Sequence, residues 1–245
     1  MSKPLRIAMW SGPRNMSTTL MRSFGARSDT TCIDEPFYAA YLKQTGLQHP
    51  MLAEIFAAQS TDPNQVISDL IAPPSRQRPI VYQKHMTHHM LADFDRSWMR
   101  QCRNVFLIRH PARVITSYAR KMDQVSLEAI GFAQQLSLFQ QAREMEGRAP
   151  LVVDSDDILR APDQMLRALC VALDQPWTER MLRWTPDPKP EDGPWAPHWY
   201  DAVWSSTGFG PPPGALPDVV PEWLDLLDAA MQVYAQLAVH RLTAD

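Results

Sequence analysis

The sequence predicts an α/β fold of three layers, a mostly parallel central sheet of about five strands with helices on both faces. Two observations carry that reading. Short, nearly continuous apolar runs recur along the 245 residues, as expected of strands buried on both sides, and stretches of helical periodicity alternate with them. Such alternation implies parallel pairing, because a crossover is needed to return the chain to the start of the next strand.

Taken in order, Leu5–Trp10 is the first strand, ending at the loop Ser11-Gly12-Pro13. The pattern Leu20, Met21, Phe24 is helical, with Ser17 or Thr18 as the expected N-cap. Thr30–Ile33 is a second strand, and Tyr38 to Ala72 is helical in pieces, broken at Gly46, Pro50 and Pro63. Pro79–Gln83 is the third strand and Val105–Ile108 the fourth, after which Pro111 opens a helix reaching about Lys121. Ser126–Glu146 is a long amphipathic helix, Leu151–Val153 a fifth strand and Pro162–Leu173 a helix behind it. Residues 1–245 are expected to form one domain, in which 185–217 is an irregular, Pro-rich segment and 218–245 holds a C-terminal helix, Val220–Leu242. Ligands of such sheets bind at the carboxyl ends of the strands. That directs attention to Ser11–Thr19, Asp34–Tyr38, Lys84–His89 and Arg109–Ser117.

The formal net charge of -3 argues against a general nucleic-acid binder, so an anionic ligand needs a local positive site. Cys32, Cys102 and Cys170 are odd in number and lack metal-ligand spacing, which reads as free thiols in a reducing cytosol. Met1–Pro4 leads straight into the first strand without the layout of a signal peptide, and no apolar run approaches a membrane span. A cytoplasmic protein that engages neither membrane nor nucleic acid is expected.

A strand, a tight loop and a helix opening on hydroxyls make an anion site, because backbone N–H groups and the helix dipole converge there. Arg14 adds a bidentate donor, and Ser17, Thr18 and Thr19 add hydroxyls. An ordinary capped helix would carry the same hydroxyls, so the loop alone decides little. It is not a Walker A loop: Ser17 follows Gly12 five residues later and no Gly-Lys pair stands between them, which weighs against ATP or GTP hydrolysis. The run Ser11 to Leu20 resembles the 5′-phosphosulfate loop of sulfotransferases that use 3′-phosphoadenosine-5′-phosphosulfate (PAPS). The likeness puts Arg14 at that loop's basic position and Ser17 and Thr18 at the hydroxyls that hold the 5′-phosphate. Asn15 and Met16 depart from its Ser and Gly, and Gly is the residue that lets backbone approach a phosphate closely. The Arg-Asn-Met-Ser-Thr variant resembles a bacterial and plant branch of sulfotransferase-like proteins.

A second stretch, Phe106 to Tyr118, is similar to the same family's 3′-phosphate motif, in which an Arg closes a strand and a Ser follows eight residues later. Arg109 and Ser117 keep that spacing. Arg113 replaces an acidic residue and is expected to be a solvated helix charge. Leu151–Leu159 with Ala161-Pro162-Asp163 resembles the family's late strand, acidic turn and helix, a structural feature to which no chemistry is assigned. The resemblance covers Ile7 to Trp177. It implies a P-loop-type fold and transfer of a sulfuryl group from PAPS, without a metal, to a hydroxyl or amine of a small-molecule acceptor.

Such a transfer needs a base. The resemblance to the Lys-Thr-His-Leu-Pro strand end of cytosolic sulfotransferases makes His85 that base, with Lys84 a cation near the sulfonate; a shift of register would let His88 or His89 serve instead, although each read individually is a polar residue at a helix start. Glu35 stands where carbohydrate-type and bacterial sulfotransferases carry a carboxylate base, and the dipole of a helix N-terminus would explain it equally well. The aromatic stretch Trp195–Phe209 has four readings open to it: stacking on adenine, lining the acceptor site, packing at a homodimer contact, or simply an ordered Pro-rich loop with aromatic anchors. Two other functions compete. A P-loop kinase-like enzyme would need the missing Walker lysine. A non-catalytic sensor of adenosine 3′,5′-bisphosphate would keep Arg14, Arg109 and Ser117 but has no use for a base.

Overall fold

The computed structural model describes residues 4–122 and 124–244; Met1–Lys3, on which the reading of the N-terminal leader rests, lie outside them. Five strands, β1 (Leu5–Ser11), β2 (Thr30–Asp34), β3 (Ile80–Met86), β4 (Arg103–Ile108) and β5 (Leu151–Asp154), form one all-parallel sheet in the order β2-β3-β1-β4-β5. β1 is central, with Met9 level with Lys84 on one side and Val105 on the other. At the edge beyond β3, Asp34 lies level with Lys84.

The helices are α1 (Ser17–Gly25), α2 (Tyr38–Thr45), α3 (Leu52–Ala58), α4 (Pro63–Ile71), α5 (Pro111–Ala119), α6 (Phe132–Glu146), α7 (Ser155–Arg160), α8 (Pro162–Ala172), α9 (Ala196–Trp199), α10 (Asp201–Trp204) and α11 (Leu224–Ala238). Alternate strand residues face opposite sides of a sheet. Ile7, Met9, Tyr82, Val105 and Leu107 accordingly pack under Leu20, Met21 and Phe24 of α1 and Leu166 and Leu169 of α8. Ala8, Trp10, Phe106 and Ile108 face the other way, against α4, α5, α6 and α11. A third cluster joins Tyr38, Ala39 and Leu42 of α2 and Ile55 of α3 to Trp195, Ala196 and Tyr200.

Several boundaries depart from expectation. β3 runs three residues past Gln83 to Met86, so Lys84 and His85 lie within the strand rather than after it. The helix expected from Ser126 starts at Phe132, because Gly131 takes a left-handed φ of 72° where a Cβ would meet Thr87 Oγ1 at 2.7 Å. The acidic turn after β5 is the helix α7, capped by the Asp154 carboxylate accepting from the Asp156 N–H. The last helix is shorter than Val220–Leu242, and α9 and α10 interrupt the stretch expected to be irregular. No helix among the described residues is long and apolar enough to cross a membrane.

Candidate active site

The carboxyl ends of β1 to β4 surround a cavity of about 260 Å³. Of the residues singled out in the sequence, Arg14, Met16, Ser17, Thr18, Thr19, Glu35, Lys84, Arg109 and Ser117 line it, whereas Asn15 and His85 do not.

At one end the chain leaves β1 and makes two left-handed residues, Arg14 (φ 63°) and Met16 (φ 64°), before α1. Met16, not Ser17 or Thr18, is the N-cap, and those two hydroxyls sit in the first turn. The first intrahelical bond is from the Leu20 N–H to the Met16 carbonyl, 3.1 Å. The N–H groups of Ser17, Thr18 and Thr19 therefore open the helix without intrahelical acceptors, as an anion cradle requires. Met16 replaces the Gly of the motif it resembles yet adopts a glycine-like backbone, so the change of residue leaves the turn possible. Asn15, 1% exposed, points inward, and its carbonyl accepts from the Ser155 hydroxyl at 2.7 Å, fastening the loop to the start of α7.

Arg14 Nε donates to Ser117 Oγ on α5 at 2.9 Å, and Arg109 Nη1 donates to the Arg14 carbonyl at 2.8 Å. The two motifs, far apart in sequence, thus form one corner with two guanidinium groups. Burial pulls both below the ordinary arginine pKa, with Arg120 adding to the effect on Arg14; neither shift brings an arginine near neutrality at physiological pH. Arg113 is not the solvated charge expected of it. Its Nε donates to Asp156 Oδ2 at 2.8 Å and its Nη atoms reach the Gly214 and Ala215 carbonyls, tying α5 to α7 and the segment before α11.

At the other end a buried network holds Glu35. Lys84 Nζ donates to Asp34 Oδ1 at 2.8 Å, Glu35 Oε1 at 2.5 Å and the Tyr200 hydroxyl at 2.6 Å, which uses all three of its donors. Tyr200 in turn donates to Asp34 Oδ2 at 2.7 Å and accepts from Trp195 Nε1 at 3.2 Å. Burial alone would lower the Lys84 pKa; Asp34 and then Glu35 outweigh it and hold the ammonium well above its ordinary value. Burial raises the Glu35 carboxyl, Lys84 opposes this, and the net shift is upward. A carboxylate so placed is a better proton acceptor than a solvated one. Glu35 has a φ of 41°, and its N–H donates to the Lys84 carbonyl, so the backbone leaves β2 aimed into the cavity.

His85 is not brought to this site. Within β3 it faces the opposite side of the sheet from Lys84, stacked on Trp10 with ring centroids 4.4 Å apart and packed near Phe37 and Trp98. Burial pushes its pKa down to about 3. The alternation of a strand separates the neighbouring Lys84 and His85, and the expectation that both serve one site is corrected on that ground. His88 and His89 occupy a single 3₁₀ turn, Thr87–His89, at the mouth of β3, and both line the cavity. Sequence reasoning offered His89 only as an alternative to His85; its nearness to Asp34-Glu35 becomes visible only when β2 and β3 are paired. It missed Tyr200, whose one signal was its place in the aromatic stretch.

The arrangement defines a class, an α/β protein with a cationic corner suited to an anion and a buried carboxylate at two ends of one cleft. The comparisons narrow it. Residues 5–241 match the sulfotransferase domain family, and the chain belongs to that family. Two Arabidopsis thaliana proteins named branched-chain-amino-acid aminotransferase-like protein 2 and 1 are 35% and 36% identical over 96% and 98% of this chain. The chain spans only 41% and 43% of their lengths. Among solved structures, the sulfotransferase domain of the Synechococcus PCC 7002 olefin synthase superposes with a TM-score of 0.61 at 20% identity, covering 97% of this chain and 96% of that one. A sulfotransferase from Alicyclobacillus acidocaldarius gives 0.55 at 12% identity, covering 99% and 98%. These likenesses are of fold.

Proposed function

We propose that this protein transfers the sulfuryl group of PAPS to a hydroxyl or amine of a small molecule, with Glu35 as the base. The observation that carries the reading is the presence, in one cavity, of two guanidinium groups, Arg14 bonded to Ser117 and Arg109 to the Arg14 carbonyl, and a carboxylate held by Lys84. The residues fit the cosubstrate. The N–H groups that open α1, with Ser17, Thr18 and Arg14, suit its 5′-phosphate, and Arg109 with Ser117 suits the 3′-phosphate. PAPS supplies the sulfur electrophile and a phosphate leaving group. Glu35 takes the acceptor proton as the acceptor's oxygen or nitrogen bonds to sulfur; the bond from sulfur to the 5′-phosphate oxygen breaks, and its electron pair stays on adenosine 3′,5′-bisphosphate. Arg14 and the α1 N–H groups stabilise the charge gathering on that phosphate. Lys84, with its donors committed, fixes Glu35; contact with the sulfonate would require it to release one partner.

Charge on the phosphates is met here by arginine, hydroxyl and backbone donors, so adenosine 3′,5′-bisphosphate is expected to bind equally well with and without EDTA in calorimetry. Binding abolished by chelation would overturn the assignment of these donors, and failure to bind at all would overturn the reading.

A further inference from the structure

We propose that the acceptor's hydroxyl is seated between Glu35 Oε2 and His89 Nδ1, and that the molecule carrying it bears no anionic group. The proposal rests on the sulfotransferase reading and adds to it an acceptor-holding residue and a substrate class. Glu35 spends its Oε1 on Lys84, while Tyr200, with one proton, gives it to Asp34 at 2.7 Å rather than to Glu35 at 3.4 Å. Oε2 lies 3.8 Å from His89 Nδ1, too far for a direct hydrogen bond. His89 is 3% exposed, and its Nδ1 has no hydrogen-bond partner among the described residues. Both residues line the cavity.

Two polar atoms at this separation can each reach one intervening oxygen at ordinary hydrogen-bond length. A hydroxyl there gives its proton to Glu35 and accepts from an Nδ1–H of neutral His89, leaving a second lone pair to meet sulfur. The imidazole is held for the task by stacking, with Tyr38 at 4.4 Å on one ring contact and Tyr41 at 4.8 Å on another.

The substrate class follows from charge. Away from the arginine corner, Lys84 is the one lysine or arginine lining the cavity among the described residues, and it is neutralised by Asp34 and Glu35. Burial holds the His88 pKa at about 4 and that of His89 well below its ordinary value, so neither imidazole supplies a cation at neutral pH. Met86, Met122, Trp199 and Val203 complete the walls. A carboxylate or phosphate on the acceptor would be desolvated there without a partner.

The test has three arms. Calorimetry with adenosine 3′,5′-bisphosphate comes first; if the native protein does not bind it, the sulfotransferase reading fails rather than this inference. With PAPS, kcat/KM is then compared for benzyl alcohol and 2-naphthol against their carboxylated analogues, and the uncharged compounds are expected to be favoured on the order of a hundredfold. Finally, His89→Asn, whose amide nitrogen can stand near Nδ1, is expected to keep kcat/KM within about tenfold, and His89→Gln and His89→Phe to lose on the order of a hundredfold. Bisphosphate affinity should be the same in all three variants, which separates a lost acceptor contact from a lost fold. Equal use of charged and uncharged acceptors, no sulfation of any uncharged compound by a protein that binds the bisphosphate, or equal activity of the Asn and Gln variants would each overturn the proposal.

Discussion

The two ends of the cavity are assembled in different ways. At the arginine end each donor belongs to a continuous strand–loop–helix segment, β1 into α1 or β4 into α5, and a few long-range links, from Arg14 to Ser117, Arg109 to the Arg14 carbonyl and Ser155 to the Asn15 carbonyl, join those segments. At the carboxylate end almost every contact is long-range: Lys84 lies 50 residues from Asp34 and 116 from Tyr200. A phosphate can be bound by the start of one helix, since the N–H groups are already parallel there. A buried carboxylate needs a cation, and that cation needs further acceptors, so the second end exists only once β2, β3 and the segment around α9 have come together.

Substitutions should expose the difference, and the largest effect is expected from Glu35→Gln. It removes the proposed base while keeping shape, and turnover should fall on the order of a thousandfold with bisphosphate affinity unchanged. In the native protein, activity should rise with pH through a value above 4.5, since the folded pKa of Glu35 is raised and the carboxylate is the form required of the proposed base. Persistence of that acid limb in the Gln variant would assign it to another group.

Next is Arg109→Ala, expected to cost PAPS binding about 1.5–3 kcal/mol, the range for hydrogen bonds to charged groups. ATP, without the 3′-phosphate, should lose less in parallel calorimetry. Equal losses would mean that Arg109 acts only by holding the Arg14 carbonyl.

Tyr200→Phe is milder. It deletes the hydroxyl shared by Lys84, Asp34 and Trp195, and about 1–3 kcal/mol of stability should be lost in denaturant unfolding. Turnover should fall more than nucleotide affinity, and the reverse order would place the segment around α9 at the wrong end of the cavity. The smallest effect on chemistry is expected from His85→Leu, because His85 packs on Trp10 outside the cavity. Turnover per folded molecule should change by less than about threefold, as for a core substitution of similar size. Loss of turnover in a stable variant would restore His85 as the base.

The same contrast explains what was legible in the sequence. Apolar runs place all five strands, and the likeness of the β1 and β4 loops to two local sulfotransferase motifs picks out Arg14, Arg109 and Ser117, all of which line the cavity. The end of β3 was misjudged because Lys84 and His85 are polar residues within a buried strand; the apolar signal stops at Tyr82 while the hydrogen-bonded ladder continues to Met86. That three-residue error put His85 beside Lys84, when the pleat sends them to opposite faces. Arg113 was misread for a similar reason, since its partner Asp156 is 43 residues away. Glu35 was a fair candidate from its position after β2, but nothing short of the folded sheet pairs it with Lys84 and sets Tyr200 over both.

Three of the six non-glycine residues with positive φ among those described, Arg14, Met16 and Glu35, line this cavity. Left-handed backbone costs an L-residue roughly 1–2 kcal/mol relative to its preferred conformations. The cavity rim is therefore a store of conformational energy, held in place by the core beneath it. Exchange of Met16 for glycine would relax part of that store, about 1 kcal/mol, and free a wall of the cavity at the same time. Selection for thermal resistance alone should thus favour changes at the rim, and selection for catalysis should resist them.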